Sequence, residues 1–394
     1  MWAHRHVESN ESLQKQAFTS DLHIAQGALS GHLTGIKAIS SGPCYGSLRM
    51  EEGSIAQELG VTEEAIELFR SSEAIDLHLE SFVWRRIFGY DLNRVHRGGL
   101  FGRSFFGHAD FPTARQIGLA GATWVISTNP ARSARGRRHA FEKNLVALRT
   151  LLEEAAGVRH VRSAAEFRAA RAAGDHAAFI GIQGGNALDD GIDALDLLAD
   201  RSVLRVTLLH LTSSRLGATS APGGKRSAGL TDFGRAYVER LNALRVGVDL
   251  AHISRPGFFD AVEVHDKTLP LFVTHTGLAG VYEHWRNITD EQLALVADSG
   301  GTVGVMLHTA FLGRRGVTVA TVVDHLQHIV NTVGEDHASI GTDYDGFIIP
   351  PKDLPGIWAF PRLVQSMLDR GWSSERIRKI LGGNALRAIE ALRG

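Results

Sequence analysis

The chain has 394 residues, 44% of them apolar and 22% charged, a composition that excludes disordered and fibrous classes and supplies enough apolar surface for a sizeable core. Its 42 basic and 43 acidic side chains leave a net charge of −1, which gives the molecule as a whole no long-range attraction to nucleic acid or to an anionic membrane. The single cysteine, Cys44, excludes an internal disulfide and a cysteine-type zinc site; residues 1–6 lack the apolar stretch of a secretory leader, and no run of about 18 apolar residues spans a membrane, so a cytoplasmic location is expected.

Residues 1–73 read as an N-terminal extension with one helix over 54–72, in which Thr62 is a capping residue and Glu63 and Glu64 occupy a first turn. The part before that helix, rich in Ser, Gly and His, is compatible with an arm for oligomer contacts and carries no legible function. Residues 74–394 form the second unit. Short apolar or β-branched runs predict strands near 74–78, 122–127, 177–182, 204–209, 246–250, 270–274, 302–307 and 338–342. Helical periodicity falls between most of them, at 140–156, 194–198 with its flanks, 232–244, 289–299 and 317–333. Parallel strands need crossover helices, and eight such strands can close on themselves, so the alternation predicts an α/β fold of the (β/α)8 TIM-barrel type. The alternative, a doubly wound open sheet, would put a glycine-rich turn after the first strand, where Leu79-Glu80-Ser81-Phe82 stands instead. Two insertions stand out, 81–121 and 211–230; the second carries Pro222-Gly223-Gly224-Lys225 and is expected to be a mobile loop at the barrel mouth. The basic segment 132–138 reads as a solvated loop or helix start rather than a phosphate site.

Barrels of this kind do their chemistry at the carboxyl ends of the strands. Those ends carry His78 with Glu80, Gln183, His210, His252, His275, His308, and Asp343 with Asp345. A lone histidine at one of these places is more often a hydrogen-bonded structural residue than a ligand. Four at equivalent positions point to a metal site. Residues two apart on an extended segment face the same way, so His78 and Glu80 suit one cation. His108-Ala109-Asp110 has the same spacing but lies within the first insertion, ahead of a proline, and reads as structural.

The second unit resembles the membrane (renal) dipeptidases, zinc metallopeptidases of the amidohydrolase-like barrel group. The resemblance is carried by Ile75-Asp76-Leu77-His78, Gly107-His108-Ala109-Asp110-Phe111-Pro112, Gly181-Ile182-Gln183-Gly184-Gly185 and Gly229-Leu230-Thr231-Asp232-Phe233-Gly234. Val248-Asp249-Leu250-Ala251-His252-Ile253-Ser254, Arg286-Asn287-Ile288-Thr289-Asp290-Glu291, Ile340-Gly341-Thr342-Asp343-Tyr344-Asp345-Gly346 and Gly382-Gly383-Asn384 follow in the family's order. It implies a first zinc at His78 and Glu80, a bridging ligand at Gln183 and a second zinc completed by His252 and His275. His210 is then the group that polarises the scissile carbonyl, Arg286 the clamp for the substrate carboxylate, and Asp343 matches the aspartate of the family's last strand and is the candidate general base.

Glu80 stands where the family has Asp, and Gln183 where it has the bridging Glu. A carboxamide lacks the charge and the second oxygen needed to bridge two cations, so one tightly bound zinc is expected rather than two. Asn186, in place of a family histidine, and the altered stretch 211–220 suggest a remodelled substrate pocket. The expected activity is hydrolysis of a dipeptide or related small amide by metal-activated water. Its alternatives are a non-peptidase reaction such as natural-product tailoring, or ligand binding without catalysis. A dipeptide or other small molecule is the expected partner, and the resemblance makes a homodimer plausible.

Overall fold

The computed structural model describes residues 52–96 and 106–394; Cys44, the start of the extension and the middle of the first insertion lie outside the described residues. In chain order the strands are β1 (Ile75–Leu79), β2 (Gly121–Ser127), β3 (Val158–His160), β4 (His176–Gln183), β5 (Arg205–Thr207), β6 (Gly247–Asp249), β7 (Leu271–Thr276), β8 (Thr302–Val305) and β9 (Ala338–Ile340). All pairs are parallel, in the order β1-β2-β4-β5-β6-β7-β8-β9 with β3 attached beside β4. The eight expected strands are these eight. The unexpected β3 has three residues, Val158-Arg159-His160, too short and too polar to announce itself.

The ring closes where β9 returns to β1. Asp343 N–H donates to the His78 carbonyl at 3.1 Å and Glu80 N–H donates to the Tyr344 carbonyl at 3.0 Å. Asp76 reinforces the seam from inside: buried, it accepts from the Thr342 amide (2.9 Å), the Thr342 hydroxyl (2.6 Å) and the His78 amide (3.0 Å). The same device joins β6 to β7, with Asp249 accepting from the Thr274 amide (3.0 Å), the Thr274 hydroxyl (2.7 Å) and the Ala251 amide (3.1 Å). Interstrand register puts Ser127, Gln183, Thr207 and Asp249 at one level round the barrel, just beneath its mouth.

Crossover helices cover the outside, several of them held at their starts by side-chain caps: Ser133 for Ala134–Glu154, Thr231 for Asp232–Ala243 and Thr289 for Asp290–Asp298. The single helix expected over 54–72 is two, Glu52–Leu59 and Glu63–Ser71. Gly60 takes a left-handed φ of 66° after the first, and Thr62 caps the second by accepting from the Ala65 amide. The second helix packs on the barrel, with Phe69 against Phe360 and the Thr62 hydroxyl donating to Gln365. Between β5 and the following helix the chain is pinned by bridges pairing Gly217 with Leu230 and Thr219 with Ile253, while Pro222, Gly223 and Lys225 are exposed.

Asp76→Ala removes the acceptor for three buried donors at the closing seam. It should lower the unfolding free energy by about 3 kcal/mol, read from urea denaturation. An unchanged midpoint would show that the seam holds without it.

Candidate metal centre

β1 extends through alternating Asp76 and His78, so both side chains enter the barrel. Gln183 is the last residue of β4, His275 lies within β7, and His210, His252 and Asp343 each sit three residues beyond β5, β6 and β9. His252 and Asp343 hold left-handed backbones at φ 64° and 62°, a conformation that costs a non-glycine residue of order 1 kcal/mol or more and that gathers at functional sites. These turns bring distant segments to one place.

His252 Nε2 and His275 Nε2 lie 2.8 Å apart, and Gln183 Nε2 stands 3.3 and 3.4 Å from them. His78 Nε2 faces Glu80 Oε1 at 3.5 Å and Asp343 Oδ1 at 3.7 Å. His275 belongs to both groups: its ring centroid is 3.8 Å from that of His78, and His78, His275 and Asp343 present ligand atoms within 4.8 Å of one another. The His210 ring meets that of His252 edge-on at 4.8 Å. His78 Nε2 and Gln183 Oε1 are buried without a hydrogen-bond partner. Paired imidazole nitrogens beside an orphaned amide oxygen are a donor set that zinc accepts, and half a turn of the Gln183 carboxamide exchanges its nitrogen for that oxygen. The site therefore fits a cation.

Beneath the histidines lies a group that the sequence reading missed. Arg205, on β5, is fully buried; its Nη1 donates to the Thr207 hydroxyl at 2.6 Å and lies 3.1 Å from Asp249 Oδ2, while its Nη2 donates to the Leu77 carbonyl at 3.1 Å and to His78 Nδ1 at 2.6 Å. The signal was available, since Arg205 shares an inward face with Thr207 inside an otherwise apolar strand. Asp249 also orders His275. The Thr274 hydroxyl donates to Asp249 and so accepts from His275 Nδ1, 2.9 Å away, which leaves Nε2 as a free lone pair.

Burial dominates the electrostatics. It raises Glu80 from 4.5 to about 7, against the opposing pull of the Ser127 hydroxyl, which lies 2.8 Å from both carboxylate oxygens. Burial also raises Asp343 well above an ordinary aspartate, helped by the nearby Glu80 charge. His78, His252 and His275 are held neutral by desolvation and by surrounding cations, and His210 falls to about 4 from burial and then Arg286. Arg286 is itself buried and lowered to about 10 by desolvation; one Nη donates to the His275 carbonyl, and Nε has no partner.

Other candidates are occupied by structure. His108 and Asp345 exchange hydrogen bonds, the His108 amide to Asp345 Oδ1 at 3.0 Å and the Asp345 amide to His108 Nδ1 at 3.1 Å, and Asp110 caps Phe111–Ile117. His308 Nδ1 accepts from the Ile349 amide. The segment 132–138 is a helix start, as expected, but Arg137 is not solvated: it pairs with Asp189 at 2.5 Å and donates to the Asn186 carbonyl at 2.7 Å. Asn186 and residues 212–215 line a cleft of about 510 Å³ that contains none of the strand-end histidines.

Residues 62–393 match the family model described as Membrane dipeptidase (Peptidase family M19). An uncharacterised protein in the pqqA 5′ region of Klebsiella pneumoniae is 35% identical over 177 residues, 43% of this chain and 64% of its own length. An uncharacterised dipeptidase of Schizosaccharomyces pombe is 32% identical over 211 residues, 53% of this chain and 51% of its own. The chain thus matches less than two thirds of the length of either relative. Among solved structures, a Rhodobacter sphaeroides metallopeptidase liganded with a phosphinate mimic of the dipeptide L-Ala-D-Ala superposes with a TM-score of 0.69 at 25% identity, covering 81% of this chain and 99% of that one. With the barrel matched end to end and the family model spanning nearly all of the described residues, the chain belongs to the membrane dipeptidase family.

Proposed function

We propose that this chain is a metal-dependent hydrolase of a dipeptide or related small amide that holds one zinc more tightly than a second. The observation that carries the reading is the facing pair His252 Nε2 and His275 Nε2, 2.8 Å apart, with Gln183 alongside. Those three residues would hold the metal, and three protein ligands with an open position is the arrangement of catalytic zinc. When bound, the metal supplies Lewis acidity and lowers the pKa of water.

The remaining chemistry belongs to side chains. Asp343 is a suitable general base: its raised pKa brings a carboxyl towards the operating pH, where an acceptor both holds and releases a proton. His210, half-buried and kept neutral, would donate to the substrate carbonyl as negative charge develops there. Arg286, with a buried and unpartnered Nε, would clamp the substrate carboxylate. The dipeptide mimic held by the Rhodobacter sphaeroides relative supports this substrate class. Gln183 favours a second reading, in which the altered metal site serves a non-peptidase reaction such as natural-product tailoring. A barrel that binds its ligand without catalysis would have no use for this acid, base and clamp together.

Protein purified without chelator should contain about one zinc per chain, counted by plasma mass spectrometry; about two would overturn the single-metal reading, and none would favour a binding protein. If the chain is a peptidase, Arg286→Met should raise KM for a dipeptide about 100-fold while barely changing that for the corresponding dipeptide amide, because only the former presents a carboxylate to the missing guanidinium. Equal losses on both substrates would remove Arg286 from this role. Glu80 supplies a pH test. A carboxyl raised from 4.5 to about 7 by folding favours the folded state below its unfolded pKa and forfeits that contribution as pH climbs to about 7. In chelator-treated protein, Glu80→Gln should therefore raise Tm more at pH 8 than at pH 5, and an equal gain at both would show that Glu80 is not buried as a strained acid.

A further inference from the structure

We infer that Arg205 removes His78 from the metal-ligand set: its guanidinium donates to His78 Nδ1, so His78 carries its proton on Nε2 and faces Glu80 and Asp343 as a hydrogen-bond donor. The inference rests on the single-zinc reading above for its consequence and on geometry alone for its premise. A guanidinium has five N–H groups and no acceptor, so the ring nitrogen 2.6 Å from Nη2 must offer a lone pair. A neutral imidazole that accepts at Nδ1 has its hydrogen at Nε2, the atom pointing at Glu80 and Asp343. Histidines that bind metals do the reverse, giving their second N–H to a carbonyl, a carboxylate or an intermediary of one.

His275 shows the ordinary arrangement in the same barrel. Its Nδ1–H is taken by the Thr274 hydroxyl, which passes its own hydrogen to Asp249. Asp249 also faces Arg205 at 3.1 Å. One buried ion pair thus prepares opposite tautomers in two neighbouring rings. The carboxylate end leaves His275 ready to coordinate, and the guanidinium end leaves His78 ready to donate.

Arg205 cannot swing away to release His78. Four further oxygens, from Leu77, Ile182, Thr207 and Asp249, surround its two Nη atoms within 3.5 Å. Its charge also lies close enough to Glu80 and Asp343 to favour their ionised forms, the service that a first metal would otherwise perform there.

The test is long-range ¹H–¹⁵N correlation of the full chain labelled at histidine nitrogens, with the His78 signal identified by its loss in His78→Asn. Metal-free protein should show His78 as the Nε2–H tautomer, and zinc titration should shift His252 and His275 while leaving His78 unmoved. A His78 Nδ1–H tautomer, or a His78 Nε2 signal displaced by the first equivalent of zinc, overturns the proposal. Failure of zinc to bind at all would sink the hydrolase reading and leave the tautomer, read without metal, to decide this one. Arg205→Met combined with Gln183→Glu should bind about one more zinc per chain than Gln183→Glu alone; equal stoichiometry in two folded variants would also overturn it. Should the arginine variant fail to fold, the wild-type spectrum still gives the answer.

Discussion

The ion pair between Arg205 and Asp249, sealed inside the barrel at 3.1 Å, is the interaction on which the rest of the site depends. Charges taken out of water are tolerated only when nearly every donor and acceptor finds a partner, and here the partners are the strand-end groups themselves. Asp249 ties β6 to β7 through Thr274; Arg205 ties β5 to β1 through the Leu77 carbonyl and His78. The network that satisfies the buried charges is therefore also the one that orients the imidazoles. Structure and chemistry share the same hydrogen bonds.

His252 Nε2 and His275 Nε2 meet at 2.8 Å, and because Thr274 leaves the lone pair of His275 at Nε2, a neutral His252 satisfies the contact by carrying its hydrogen on Nε2 and donating it across. A second proton on either ring is disfavoured, because burial and the nearby Arg286 charge hold His252 and His275 neutral. The Gln183 amide nitrogen lies 3.3 and 3.4 Å from the two ring nitrogens. A divalent cation would take a lone pair from each ring once the His252 hydrogen moved to Nδ1, and would draw the carboxamide oxygen inward. The left-handed backbone at His252 is held in place against its own preference by the surrounding barrel, which keeps the two rings together.

Much of this could be read from the residues. Strands with apolar, β-branched interiors were legible because parallel strands are buried on both faces, and their carboxyl ends located the histidines before any coordinates. What was illegible depended on long-range pairing. Nothing local distinguishes Asp345, which locks to His108 across 237 positions, from Asp343, which faces His78. The break between the first two helices hinges on the left-handed turn at Gly60, which helical periodicity runs straight through. Arg205 was hidden for the opposite reason. Its neighbours Leu204 and Val206 make the strand convincing, and a convincing apolar strand draws attention away from the one charge inside it.

Gln183 and Arg205 are best understood together. Relative to a barrel with a bridging glutamate at this place, the glutamine withdraws one negative charge, while the charge of the buried arginine is balanced by Asp249. With one negative charge fewer, the site would meet a second divalent cation with less compensation in a low-dielectric interior. Restoring the glutamate alone would leave a guanidinium on the Nδ1 side of His78. If one zinc is held here as proposed, a residue that touches no metal shapes the ligand set as much as the ligands do.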